Sequence, residues 1–580
     1  HITLHDGVTV KATGGGNSSL GGGGGAGIGS GNRAKGNTDI LIKGATKVTA
    51  KGGSTAAGIG SGNGSNGSTI INIEGGTITA EGGGKENGSC QASGAGIGSG
   101  GNALNKTTIN IKGGEITATG GVSLDSRNHS DKWLSGAGIG SGSNVSGETE
   151  INISGDSTIK SASGGKYGGA GIGSGSYSGS TPDSKKGAVT INITGGNIEK
   201  ATGGGEYVSS SKRWYSGAGI GAGLNAGTTT INIKDNAHIV SATGGKYGGA
   251  GIGSGSSDTK NNSKKGAVTI NITDGTIEKA EGKNGGAGIG SGYYGRSSTV
   301  NISGNAELKD VKGGNLAAGI GSGYDSDKVD VVIDGGTINA TGGDSAAGIG
   351  SGLNSRSSVT IKSGTVNAKG NQHSNSGSSG IGGSYADVTI SGGNITATGY
   401  DTGAGIGGSY SGDSSKITIT GGTITATGTS DAPAIGNGSV SISNTGVENA
   451  GAELDITATA PDAEKAIRSN DGKKLDAVIR LAENGKKGLV KLVKSGTDSL
   501  SRLFHNGAYA ANHSTFHSHD RVTPEMSEAE KAKYGDIASV HNWKVSDRQE
   551  PNCGKDGYIE YTCMVGKCGA TFRHTLPATG

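Results

Sequence analysis

One string governs what this chain can fold into: A-G-I-G-S-G, or a close variant, recurs thirteen times. Its isoleucines are Ile28, Ile59, Ile97, Ile139, Ile172, Ile220, Ile252, Ile289, Ile320, Ile349, Ile381, Ile406 and Ile435. Their spacings run from 25 to 48 residues and average about 34. A period in that range marks a solenoid, a propeller or an array, whose units bury their apolar faces only against their neighbours.

Each repeat divides into three short strands. Lys106 to Ile111 reads K-T-T-I-N-I, with Ile109 and Ile111 on one face. Two glycines follow, then E-I-T-A-T, with Ile116 and Ala118 on the same face. A loop of variable length leads to G-A-G-I-G-S-G around Ile139. Alternation of period two, broken by glycine pairs, is a strand-turn-strand pattern. A propeller blade needs four antiparallel strands in about 40–45 residues, and propellers rarely exceed about eight blades. Thirteen units as short as 25 residues favour the solenoid. The pattern therefore predicts an all-β chain: a right-handed parallel β-helix of about thirteen coils over residues 1–445. Stacking at about 4.8 Å per coil makes this a rod roughly 60 Å long.

A thin core of this kind accounts for the composition. Glycine supplies 122 of 580 residues, and apolar residues only 30%. Collagen is excluded by six prolines and by the lack of glycine at every third position. The 51 basic and 48 acidic residues give no electrostatic reason to expect a nucleic-acid partner. No run of 18 apolar residues exists that could form a transmembrane helix. His1 is not a start methionine and the first coil begins at once, so the chain reads as a piece of a longer product.

Composition changes near residue 450. All three phenylalanines lie beyond it, with three of the four cysteines. Residues 446–535 read as a linker, cap or small mixed domain, with helical character in A-V-I-R-L-A-E-N and G-L-V-K-L-V-K. Residues 536–580 read as a small cysteine-containing module. Cys553, Cys563 and Cys568 with His541 form a Cys3His set suited to a structural zinc ion. His574 is the alternative fourth ligand, and one disulfide with a free thiol, or no special role, stays open. The run His513, His517, His519, Asp520 reads as a solvated polar loop.

Aromatic placement is the main functional pointer. Four positions after the repeat isoleucine, successive coils carry Tyr293, Tyr324, Leu353, Tyr385 and Tyr410, with Tyr177 one place further on in its own coil. A second group, Trp133, Tyr167, Trp214 and Tyr247, precedes the motif in four successive coils. Rows of rings suit the C–H faces of an extended glycan, or else shield the solenoid corner. Asn72, Asn110, Asn152, Asn192, Asn232, Asn271 and Asn301 recur in the I-N-I strand. They are a soluble outer face if their neighbours point in, and an amide spine if they point in themselves. Asp325, Asp327, Asp330 and Asp334 are the densest carboxylates. A glycosidase needs two at about 5–9.5 Å, and solvation or a calcium ion are the other readings.

The pattern T-I-N-I-x-G-G-x-I-T-A-T-G-G…G-A-G-I-G-S-G, over residues 1–440, resembles repeats in large surface proteins of anaerobic Gram-positive bacteria. Such proteins are described as adhesins or carbohydrate-binding surface proteins. The terminal C-x9-C-x4-C-G-A-T-F-R-H-T-L-P-A-T-G resembles a short cysteine repeat of the same group, with a last gap two residues longer. L-P-A-T-G also matches a sortase signal for covalent cell-wall attachment, though no apolar stretch and basic tail follow it here. The resemblance implies an extracellular, cell-surface location. The expected function is a non-catalytic adhesin that binds polysaccharide or host glycan along a solenoid face. Binding would be weak, multivalent and, at a net charge of +3, nearly independent of salt. The alternative is a β-helix polysaccharide-degrading enzyme, a glycoside hydrolase or lyase.

Overall fold

The computed structural model describes residues 1–16, 23–84, 92–125, 132–178, 183–208, 213–257, 266–371, 377–409, 415–430, 432–443, 453–462, 466–468, 478–480, 488–495, 500–505, 509–510, 543–563 and 571–579. Among them the only helical element is one short 3-10 turn, Asp183–Lys185. No helix is long and apolar enough to cross a membrane. Everything else regular is strand, and almost every solenoid pairing is parallel.

One coil shows the plan. Strand Thr107–Thr119 runs along one face, turns a corner at Gly113–Gly114 and continues along a second. Thr107, Ile109, Ile111, Ile116 and Ala118 are buried while the residues between them are not. Gly114 takes φ +88° at the corner, which favours glycine. The two-residue strand Ile139–Gly140 makes the third face. Each face stacks in register on the next coil: Ile109 on Ile151, Ile116 on Ile159, Ile139 on Ile172. All thirteen repeat isoleucines are buried, Ile28 at 6% exposure and the other twelve at 0%. Together with Val and Ala they form one continuous column.

The motif's remaining letters have separate jobs. Gly140 sits at φ +136°, and a Cβ there would lie 1.8 Å from the carbonyl oxygen of Gly173 in the next coil. No side chain fits that approach. Ser141 turns a buried hydroxyl along the rod, where its Oγ accepts from the N–H of Gly175 at 3.1 Å. Ser99 does the same for Gly142, and Ser174 for Gly223. Backbone donors at a crowded corner are thus satisfied where water is excluded. The N–H of Ala137 donates to the carbonyl of Ser141 at 3.0 Å, closing the arch around the isoleucine.

Stacking continues past residue 445. Leu454–Ala460 pairs with Gly422–Thr427, and Ile467 lies on Ile435 as a fourteenth rung. Val478–Arg480 and Gly488–Lys494 add a further layer. Of the sequence expected to be helical, V-I-R and G-L-V-K-L-V-K are strands, and the rest of A-V-I-R-L-A-E-N lies outside the described residues. Val490 and Leu492, both fully buried, alternate over Ile456 and Ala458, so a period of two against an existing edge overrides helix propensity. Leu500–His505 and Tyr509–Ala510 then pair antiparallel with them, which ends the parallel ladder. Separately, Trp543–Gln549, Gly557–Cys563 and Thr571–Leu576 form a three-stranded antiparallel sheet. Its described side chains are mostly exposed. Arg573 clamps it, donating to Glu560 at 3.0 and 2.7 Å with its guanidinium 3.9 Å from the Tyr558 ring centroid.

Candidate functional site

The two aromatic groups predicted separately from the sequence meet on one edge. Trp214 lies on Arg213–Ser216, which pairs antiparallel with Gly205–Val208 and places Tyr207 opposite it. This hairpin projects from a long loop before the motif. The Trp214 ring stacks on Tyr293, two coils away, at 5.7 Å and 24°, and meets Tyr247 edge-on at 5.8 Å. Tyr293 continues to Tyr324 at 5.4 Å and touches Tyr294 at 4.2 Å. Trp214 and Tyr207 are exposed at 39% and 41%, so the column presents ring surface to solvent. Burial, reinforced by Tyr294, holds the Tyr293 phenol well above its ordinary pKa; burial and then Asp325 raise that of Tyr324. Both rings therefore stay neutral at physiological pH.

The other predicted aromatics divide. Tyr167 is 5% exposed, between Trp133 at 4.4 Å and Tyr215 at 6.3 Å, in a small cluster with Leu224. As a ligand-stacking residue it is corrected to a packing residue, because its ring has no free face. Trp133 is half-buried in the same cluster with its indole nitrogen enclosed. Tyr177 points into the solenoid core, where its hydroxyl donates to the Val145 carbonyl at 2.6 Å and burial pushes its pKa far up. Tyr385 is 50% exposed at φ +54°, with the Arg356 guanidinium 6.0 Å from its ring. Leu353 occupies the coil between Tyr324 and Tyr385. Tyr410 lies outside the described residues. Tyr207 and Tyr294 were not singled out from the sequence. G-E-Y-V facing R-W-Y-S across a polar loop was the hairpin signal for the first.

The asparagines point outward and stack as well. Asn110 donates through Nδ2 to Asn72 Oδ1 at 2.8 Å, and the pattern continues without a break through Asn152, Asn192, Asn232, Asn271 and Asn301. A shallow groove of about 530 Å³ runs along it between Asn152 and Asn271, rimmed by Thr194 and Lys234.

Two of the acidic candidates are held as surface charges. Asp330 pairs with Lys328 at 2.7 Å, and Asp334 faces Lys362 at 3.9 Å while accepting from Ser363 at 2.9 Å. Asp325 is 9% exposed in a left-handed turn at φ +50° beneath Tyr324. Of the zinc set, His541 and Cys568 lie outside the described residues, as does the side chain of Cys563. Cys553 is exposed and unbonded. Among the described residues no group of three or more His, Cys, Asp or Glu gathers to hold a metal ion. His513, His517, His519 and Asp520 also fall outside.

A family model described as a β-helix repeat matches nine stretches: residues 40–63, 71–101, 109–143, 191–224, 270–293, 331–353, 359–385, 388–410 and 417–439. All nine lie within the stacked coils. No curated protein and no solved structure matches the chain.

Proposed function

We propose that this β-helix repeat protein is a non-catalytic adhesin of the cell surface that grips polysaccharide or host glycan along the Trp214–Tyr293–Tyr324 edge. The observation that carries the reading is the ring column itself. Aromatic side chains seldom stay exposed in a row, because apolar area in water is unfavourable by roughly 25 cal/mol per Å². Here a rigid scaffold holds them open at inter-coil spacing. Sugar C–H faces can lie against such rings, and the neutral phenols add hydroxyl contacts. Each ring contributes on the order of 1 kcal/mol, so useful affinity comes from several contacts or several protein copies. The four candidate aspartates support binding better than hydrolysis, since two of them are engaged with lysines.

The reading is tested by a glycan array run beside a reducing-sugar release assay on the same polysaccharides. Retention without release supports an adhesin. Release that a single carboxylate replacement abolishes makes the protein a polysaccharide-degrading enzyme instead.

A further inference from the structure

A column of cations accompanies the aromatic edge. In five successive coils a Lys or Arg stands six or seven residues before the repeat isoleucine: Lys132, Lys166, Arg213, Lys246 and Lys283. In the first four it directly precedes the ring, as K-W, K-Y, R-W and K-Y. Further along, the coils of Ile349 and Ile406 carry Asp344 and Asp401 near this position instead. The cationic stretch therefore covers the coils of Trp133, Tyr167, Trp214, Tyr247 and Tyr293.

In two of these coils the structure places the charge over the ring. Lys166 Nζ is 5.0 Å from the Tyr167 centroid, and Lys246 Nζ is 5.2 Å from that of Tyr247, which itself touches Trp214. Among the described residues no carboxylate pairs with Lys246. The local acids are Glu206, on the Trp214 hairpin, and Glu281, which already faces Lys279 at 2.9 Å and Lys283. A cation on a ring keeps part of its charge available to a ligand above it, while the ring restricts its position. Lys246 thus sets an ammonium group beside the Trp214–Tyr293 rings, as a charged polysaccharide sets an acidic substituent beside its sugar face.

We propose that the edge from Tyr247 to Tyr294 selects anionic polysaccharide, with a carboxylate or sulfate group on Lys246 and sugar faces on Trp214 and Tyr293. This rests on the glycan-binding reading and replaces the near salt-independence that a net charge of +3 predicts. A net charge averages over the molecule, whereas a ligand meets the local field.

The test is affinity electrophoresis of the full chain through gels holding polygalacturonate, its fully methyl-esterified form, chondroitin sulfate or poly-glutamate. The expected result is retention by polygalacturonate or chondroitin sulfate, the stronger naming the acid group. Retention should be lost with the methyl ester and fall steeply between about 50 and about 300 mM NaCl. Lys246→Gln should weaken it roughly two- to fivefold, and Lys246→Arg should restore it. Equal retention by ester and free acid, unaffected by salt, overturns charge selection and leaves glycan binding standing. Retention by none of the three glycans overturns both. Retention by poly-glutamate as strong as by any glycan overturns the proposal, because charge alone then explains the binding.

Discussion

Asn192 donates its Nδ2 to Asn152 Oδ1 at 2.8 Å and accepts from Asn232 Nδ2 at the same distance. Every internal member of the seven-residue ladder does likewise, and all six bonds point the same way along the rod. An amide engaged in two such bonds has a second N–H and a second lone pair to offer, and Asn152 gives its second N–H to Glu150 at 3.4 Å. The ladder therefore ties coils together on the outside, where the isoleucine column cannot.

Position along the ladder sets the effect of removing one amide. Asn192→Ala breaks two bonds, and should lower stability by about 1–2 kcal/mol. Asn72→Ala breaks one at the end and should cost about half as much. Hydrogen exchange provides the check: the amides of Ile191 and Ile193 should exchange faster in Asn192→Ala and unchanged in Asn72→Ala.

The core isoleucines are predicted to respond by size and charge. Ile220→Val leaves a small void at a fully buried site and should cost about 0.5–1.5 kcal/mol. Ile220→Asp puts an unpaired charge in the column, a penalty of several kcal/mol. Limited proteolysis should then cut near residues 172–252, in the coils flanking the substitution. An intact Ile220→Asp protein with wild-type melting would show that the column is not the core.

The two tryptophans should behave differently. Trp214→Ala removes an exposed ring and should weaken glycan retention with little change in thermal midpoint. Trp133→Ala removes a half-buried ring packed on Tyr167, and should lower the midpoint by about 2 °C, the counterpart of about 2 kcal/mol in a unit of this length. Melting curves and retention measured on both variants separate the roles. Equal loss of retention in both, with neither destabilised, would place Trp133 in the binding edge.

Ion pairs across coils give a pH dependence of known sign. The hydrogen bond from Lys106 lowers the Glu150 pKa against opposing burial, and the bond from Lys309 lowers that of Glu278, with His238 adding to it. A carboxylate whose folded pKa is depressed stabilises the fold above its unfolded value, about 4.3. That contribution is lost as pH falls through the folded value. Lys106 is raised by the same pair, so its share is lost only as pH rises past the ordinary lysine value near 10.4. The thermal midpoint should thus fall between about pH 5 and about pH 3. Glu150→Gln should shrink the fall slightly, since these exposed pairs are weak. A midpoint that rises on acidification would contradict the assignment.

The solenoid was legible because its restraints are periodic. An isoleucine in every coil, a glycine where only hydrogen fits and a serine hydroxyl on the next coil's N–H recur together and leave one common string. The end of the ladder was not legible. Ile467 stacks as its predecessors do, but its neighbours lack the glycine-serine signature, and Ile435 is the last isoleucine to carry it or a close variant. Side-chain direction was only half legible. Tyr177 differs from Tyr293 by one position relative to the repeat isoleucine, and one position turns a side chain from solvent to core. Contacts across two coils, such as Trp214 on Tyr293, depend on how a hairpin leans back over the rod, and no spacing in the chain encodes that.

Rungs of the third sheet keep one separation whatever loop intervenes. Ile172 and Ile220 are 48 positions apart and Ile381 and Ile406 only 25, yet each pair occupies adjacent rungs. Chain length and reach are therefore independent variables in this molecule. Duplicating one unit extends the rod by about 4.8 Å and asks no other residue to change. Enlarging a loop alters what the edge displays and extends nothing. Copy number and loop sequence can drift separately, the first setting how far the protein extends and the second what it meets there.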